Sequence, residues 1–358
     1  MIDVGFPVIQ YSADQTPLER GRAHGEAFRA AIAELVAIRT ELMRERNPRL
    51  TDRVIRELAE PQWHATLDFD VELSEELMGI CQGAKLSPVD LVVLNNYTDF
   101  RDIHVPDQGC TTVYVKQQQA VAGQTWDMHS TAKNFVCCLE IDAPDPADRQ
   151  VLFSLVGCLG LMGYTGRGLM VGVNNINTDG ATPGVVWPAL VRGLLKQTAL
   201  PAMEAMLTTA PVTSGHSYLL ADRDQGSFWE VMPGLAERVS SLPAETRGHL
   251  FHTNHCLGPQ AQRREHVGAI SSTTKIRYDL VAKKIGGVEN LSDLEALLND
   301  HENYPKSICS AYQSGSQDPS VTCGGAVGDL SDGQLFFWRG DATTDANFVR
   351  RSFHLGPR

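Results

Sequence analysis

A chain of 358 residues, 42% hydrophobic and 21% charged, can bury a large core, which argues against extensive disorder. Its 43 acidic residues outnumber 31 basic ones for a net charge of −12, and no basic stripe offsets that field, so nucleic acid and anionic membranes are poor partners. The opening MIDVGFPVIQYSADQ lacks the basic and apolar regions of a secretion signal, and no run of about 18 apolar residues occurs, so no membrane partner and a cytoplasmic location are expected.

Taken in chain order, residues 17–46 read as one helix capped by Thr16, with Phe28, Ile32, Leu35 and Leu42 at helical spacing. Further helices are predicted over 51–60, over 71–82 and from Ser87 through Leu94. At Gly109 the character changes to short β-type runs: TTVYV, AVAGQTW, FVCCLEI, VLFSLVG and LMVGVNNI. A helical stretch follows at about 185–209, then strands at SYLLAD, SFWEVM and HLFHTN. Helices over 275–285 and 291–301, the second capped by Ser292, precede closing strands GGAVGDL and QLFFWRG. Strands in blocks, separated by blocks of helices, predict antiparallel sheets with helices layered on them, an α+β fold.

Eight cysteines are present, none spaced CxxC; the adjacent Cys137 and Cys138 suit a strand with opposite-facing thiols, and free thiols are expected. Cys110 stands apart, because it opens a β-run directly after Gly109 and the loop HVPDQ. Glycine tolerates strained backbone, so Gly109–Cys110 is a candidate for self-cleavage. A Cys110 made N-terminal would carry an α-amine of pKa roughly 7.7–8, able to take the thiol's proton. A turn near Ala120–Gly123 would return Asp127, in GQTWD, beside that cysteine to hold the amine. Read alone, each feature also fits a structural role: a buried strand cysteine and a turn aspartate.

The run HLFHTNHCLGP offers His249, His252, His255 and Cys256 as metal ligands, but alternation on a strand splits them between faces and no HExxH frame exists. No metal or other cofactor is therefore expected, and Asn254 is read as an amide donor to an oxyanion. The glycine-rich GCLGLMGYTGRGLMVGVNNIN matches a nucleotide-binding pattern only loosely and better suits tight turns ending at Asn174 and Asn175.

Together GCTTVYV, GQTWD, GLMVGVNNIN, HTNHCL and NYPKSICSAY resemble the acyl-coenzyme A:6-aminopenicillanic acid acyltransferase (isopenicillin N acyltransferase) family, the C45 cysteine peptidases. The likeness runs from about Gly21 to near the C-terminus; a more distant one is to bile-salt hydrolases and penicillin V acylases. It implies a four-layer αββα N-terminal-nucleophile (Ntn) hydrolase sandwich. It implies cleavage before Cys110, with Gly109 and Thr112 at the processing site, into fragments 1–109 and 110–358 that form one integrated domain. By position it assigns Cys110 as nucleophile, Asp127 as the carboxylate on its amine, Asn254 as oxyanion donor and Asn174 as a second oxyanion asparagine. Trp126, Phe135, Tyr164 and Trp187 are candidate acyl-pocket residues.

Four departures bear on substrate. Thr125 replaces the family's asparagine, and Gln124 stands where bile-salt hydrolases have arginine. Ser310 replaces the arginine after SIC, and QSGSQDPSV carries none before Arg339. The expected activity is transfer of an acyl group from a small-molecule amide or N-acyl substrate through acyl-Cys110, with water the favoured acceptor over an acyl-coenzyme A reaction. The self-cleaved fragments are each other's expected partner, and further homo-oligomerisation is a family expectation. Two rivals are an uncleaved binding protein on the same scaffold and a metal hydrolase using His249, His252 and His255.

Overall fold

The computed structural model describes residues 1–100, 109–270, 273–312 and 320–356. After strand β1 (Val8–Tyr11) come helices α1 (Pro17–Ala27), α2 (Arg29–Arg46), α3 (Asp52–Phe69), α4 (Val71–Ala84) and α5 (Pro88–Asn96). Strands β2 (Gly109–Lys116), β3 (Ala120–His129), β4 (Val136–Ile141), β5 (Gln150–Leu155), β6 (Met162–Thr165) and β7 (Met170–Asn175) follow. Next are α6 (Trp187–Leu195), α7 (Leu200–Thr209), β8 (His216–Ala221), β9 (Gly226–Met232), β10 (Leu235–Leu242) and β11 (Gly248–His252). The chain closes with α8 (Thr274–Lys284), α9 (Leu291–Leu298), β12 (Ala311–Tyr312), β13 (Ser320–Asp329), β14 (Gln334–Arg339) and β15 (Val349–His354).

The strands form two sheets. One runs β1-β4-β5-β6-β7-β8-β9-β10, antiparallel except where β1 joins β4; the other runs β11-β2-β3-β13-β14-β15, with β12 on β13. They stack face to face through β2 and β3 against β7, while helices α6 and α7 cover the first sheet and α8 and α9 the second. This is the αββα sandwich that the sequence resemblance implied. Alternation along β2 shows the layering: Cys110 and Tyr114 belong to the core between the sheets, whereas Val113 and Val115 pack with Leu294 and Leu298 of α9. The sheets are also cross-linked by polar groups, since the Tyr164 hydroxyl donates to Ala122 O at 2.9 Å.

Local chemistry explains the helix starts. Thr16 and Glu19 form a reciprocal capping box with Pro17 in the first turn, and Ser87 with Asp90 repeats it. Helices α1 and α4 then approach at backbone contact, because Gly21 and Gly25 face Gly79 and Gly83. A Cβ on Gly79 would lie 2.3 Å from Leu18 O, and one on Gly21 2.0 Å from Glu76 O. Buried Arg192 makes a paired contact with Glu76 at 3.0 and 3.2 Å, and Arg20 reaches the same carboxylate at 2.9 Å, which ties α6 to this pair.

Several sequence expectations need correcting. The helix predicted over 17–46 breaks at Phe28 (φ −116°, ψ 20°), which lets α1 lie along α4 while α2 packs on α5. The helix predicted over 51–60 continues to Phe69 through Pro61; the carbonyl left without its amide belongs to exposed Glu57, where water can reach it. The stretch 185–209 is two helices, and α9 ends at Leu298 with Asn290, not Ser292, as its cap, accepting from Asp293 N at 3.1 Å. The β2–β3 turn occupies 117–119, so Ala120–Gly123 lies in β3. The loop HVPDQ and most of QSGSQDPSV fall outside the described residues. All eight cysteines are buried free thiols.

Candidate active site

Strand β2 begins at Gly109, and its antiparallel register with β3 sets Gly109 opposite Asp127 and Cys110 opposite Trp126. Because faces alternate, the Cys110 thiol points between the sheets while Asp127 points toward α8. Cys110, Asp127, Asn175, Asn254, Trp126, Met128, Val173, Trp187 and His216 line one cavity of about 30 Å³.

Asn254 follows β11 and is held by its backbone N–H, which donates to Thr274 Oγ1 at 2.7 Å. Its side-chain oxygen accepts from Cys110 N at 2.7 Å and from Arg277 Nη2 at 2.7 Å; two donors at one atom identify that atom as oxygen. Its Nδ2 donates to Asn175 O at 2.8 Å, leaving its second N–H unspent on that bond.

Arg277 was not singled out from the sequence, yet it is the hub of the site. It is 0% exposed and donates through Nη1 to Cys110 O at 2.5 Å and Thr111 Oγ1 at 3.0 Å. Its Nε donates to Thr273 Oγ1 at 3.2 Å. The available signal was Thr274-x-x-Arg277 at a helix start: three residues apart on α8, both side chains fall on one face. Arg277 lies on α8, far along the chain from the SIC and QSGSQDPSV segments where an arginine was expected and is missing.

Asp127 is 2% exposed; Thr322 of β13 donates to its Oδ1 at 2.7 Å, and its Oδ2 accepts no hydrogen bond among the described residues. The SIC segment sets Thr322 in place, because Thr322 Oγ1 also accepts from Ser310 N at 2.9 Å. Burial raises the Asp127 carboxyl, with Arg277 and Thr322 opposing. Burial, and then the charge of Asp127, push the Cys110 thiol up to about 12, so in the continuous chain it is held protonated. Burial lowers Arg277, against the charges of Asp127 and Cys110.

Gly109 has no left-handed φ, contrary to the strain expected there. Glycine fits this position through space instead: a Cβ would lie 2.6 Å from Asp127 Oδ2 and 2.7 Å from Arg277 Nη2. Gln124 clamps one sheet to the other, its amide accepting from Val173 N and donating to Val173 O, both at 2.7 Å, and its side chain also hydrogen-bonds the Cys110 thiol, opposing the effect of burial on it.

Other expected residues fall elsewhere. Asn175 borders the cavity, whereas Asn174 on the opposite face of β7 reaches His252 O at 3.5 Å. Trp126 and Trp187 line the cavity; Phe135 and Tyr164 lie in the core, and Thr112 is buried within β2 away from the cavity. The histidine cluster disperses into scaffold contacts. His252 Nε2 meets Glu230 at 2.8 Å, and Glu230 also accepts from Leu257 N at 2.6 Å and Gly258 N at 3.0 Å, fixing the loop that carries Asn254. His255 Nδ1 lies 3.0 Å from Thr274 Oγ1, and His249 is exposed, so these rings do not converge on a metal.

Comparison with known proteins adds four findings. A family model described as acyl-coenzyme A:6-aminopenicillanic acid acyl-transferase matches residues 115–325, more than half of the chain. The chain is 27% identical over 332 residues to the acyl-coenzyme A:6-aminopenicillanic-acid-acyltransferase 40 kDa form of Emericella nidulans, covering 88% of each. Among solved structures, the Caenorhabditis elegans N-acylethanolamine-hydrolyzing acid amidase ortholog is similar at 12% identity and TM-score 0.43, over 62% of this chain and 93% of that one. Penicillin V acylase from Agrobacterium tumefaciens is similar at 16% identity and TM-score 0.36, over 68% and 86%.

Proposed function

Because the chain belongs to the acyl-coenzyme A:6-aminopenicillanic acid acyl-transferase family, we propose that it cuts itself between Gly109 and Cys110 and then hydrolyses small amides through an acyl-Cys110 intermediate. The observation that carries this reading is the convergence of Cys110, Asp127 and Asn254 on one cavity, with the Cys110 N–H seated on Asn254 Oδ1.

In the first reaction the Cys110 sulfur attacks the Gly109 carbonyl, the peptide C–N bond breaks, and the acyl group moves to sulfur as a thioester. Water hydrolyses that thioester, leaving a carboxylate on Gly109, a free thiol and a new α-amine on Cys110. The Asp127 Oδ2, which accepts no hydrogen bond among the described residues, lies against Gly109 at the bond to be cut, which supports its role as counter-charge to the new ammonium.

In turnover the α-amine takes the thiol proton and the sulfur attacks the substrate carbonyl. The second N–H of Asn254 Nδ2 meets the developing oxyanion, a donor worth about 3–4 kcal/mol in comparable sites. The departing amine collects the proton from the α-ammonium, and water then releases the acyl group. Arg277 positions this machinery by holding Asn254 Oδ1 and the strand end. No lysine or arginine lines the cavity among the described residues, which supports water over an anionic coenzyme thioester as the partner of the acyl-enzyme.

The test is acid-quenched turnover of a panel of N-acyl amides graded by acyl length, followed by peptide mass mapping. An acyl adduct on Cys110, and no turnover by Cys110→Ala, are expected. Turnover that persists in Cys110→Ala would overturn the proposal.

A further inference from the structure

The NYPKSICSAY segment carries a cysteine that the proposed reaction does not use. Cys309 is 1% exposed, and its N–H donates to Asp300 O at 3.0 Å, which draws it against the chain leaving α9. His301 is the next residue of that chain, and Asp341 follows Gly340 (φ 80°) in the turn after β14. One donor atom from each, an imidazole nitrogen, a thiol sulfur and a carboxylate oxygen, lie within 4.8 Å of one another.

Three segments apart in sequence thus deliver three ligand types to one point. Thiolate, imidazole and carboxylate are the protein ligands of zinc, bound at about 2.0–2.3 Å and tetrahedrally, which sets the donors about 3.3–3.6 Å apart. An ion held between His301 Nε2 and Asp341 Oδ2, 2.8 Å apart, needs that gap to widen by only about 0.5 Å. The carboxylate is already oriented: its Oδ1 accepts from Thr343 N at 2.8 Å and its Oδ2 from Thr344 Oγ1 at 2.7 Å, the outer contacts that fix a metal ligand. The side chains of His301 and Asp341 are 25% and 15% exposed above the buried sulfur, so an ion can enter from solvent. The charges of Asp341 and Asp127 both reach that sulfur and both are negative, a field that favours a cation.

We infer that His301, Cys309 and Asp341 form a binding site for a divalent cation of the zinc type, with water as the fourth ligand. Binding exchanges the S–H bond for a metal–sulfur bond and releases the thiol proton to solvent. The site reaches the nucleophile through one side chain: Thr322 hydrogen-bonds the Cys309 sulfur and donates to Asp127 Oδ1 at 2.7 Å. Its hydroxyl has a single proton, so a metal-bound thiolate, an acceptor only, competes with Asp127 for it. Occupancy therefore slows the chemistry at Cys110. That consequence rests on the amidohydrolase reading, whereas the binding site itself does not.

The test titrates chelator-stripped protein with Zn²⁺ against a chromophoric chelator, and with Co²⁺ for the absorption band of a cobalt–thiolate bond. Expected are uptake of about one ion per chain and a cobalt–thiolate band that survives in Cys110→Ala and disappears in Cys309→Ser. His301→Gln, at a partly exposed residue, should weaken binding by at least the about 10–100-fold that changes to outer contacts of a metal site cost. It carries the test if Cys309→Ser fails to fold. No uptake by the wild type, undiminished affinity in His301→Gln, or a band lost in Cys110→Ala would each overturn the inference. None of these readouts needs turnover, so an inactive protein that binds zinc would sink the amidohydrolase reading alone. In an active protein, zinc should inhibit the wild type more than His301→Gln, and equal inhibition would remove the link through Thr322.

Discussion

Replacing Arg277 by methionine keeps most of the side-chain length and apolar volume and deletes a guanidinium that donates to four oxygens: Cys110 O, Thr111 Oγ1, Asn254 Oδ1 and Thr273 Oγ1. The site is fully buried, so water cannot replace those donors, and Asp127 loses its nearest cation. Removing one side of a buried charge network costs about 3–5 kcal/mol, which should appear as a lower urea midpoint with an unchanged slope. Asn254 and the Cys110 backbone also lose the group that fixes their spacing. A displacement of about 1 Å at a reacting centre costs about 10²-fold in rate. Conversion of freshly refolded full-length chain to two fragments, followed on denaturing gels, should therefore slow by about that factor in Arg277→Met. Arg277→Lys should recover little, since an ammonium cannot span the same fork of acceptors. Wild-type stability together with a cleavage rate within about twofold of normal, well inside the factor expected, would refute the role given to this residue.

Asn254→Ala should lower kcat by about 10²–10³-fold with a smaller change in KM, because its amide acts mainly on the oxyanion; steady-state kinetics on an N-acyl amide checks this. His24, buried between the Tyr11 hydroxyl at 2.7 Å and Gly157 N–H at 2.9 Å, is pushed by burial from 6.5 down to about 4. Its folded value lies below its unfolded one, so unfolding takes up a proton: the stability it contributes is complete above pH 6.5 and is lost as the pH falls toward 4. Urea midpoints should show a loss of about 3 kcal/mol over that window that is absent in His24→Gln. Gly79→Ala places a methyl 2.3 Å from Leu18 O, and separation of α1 from α4 should cost about 1–3 kcal/mol in the same assay.

Local pattern was enough to locate most strands and helices, because β2, β3, β4 and β8 are β-type runs, buried almost throughout, with turns at their ends. Short or polar strands escaped it: β10, LAERVSSL, sits at a sheet edge with little burial to pattern it, and β15, VRRSFH, is half exposed. Cys110, Asp127 and Asn254, which the fold brings to one cavity, could be singled out because each lies in a distinctive local motif. Arg277 could not, since its role arises where α8 meets the start of β2 and the loop after β11, and no short segment records that meeting. Asn174 and Asn175 differ only in the face of β7 they occupy, which adjacent identical residues cannot reveal.

The most direct measurement is the intact mass and N-terminal sequence of the purified protein beside its Cys110→Ala variant. Two fragments, the larger beginning Cys-Thr-Thr, are expected from the wild type, and a single 39.2 kDa chain from the variant. An active wild-type protein that stays in one piece, with no terminus at Cys110, would contradict the account.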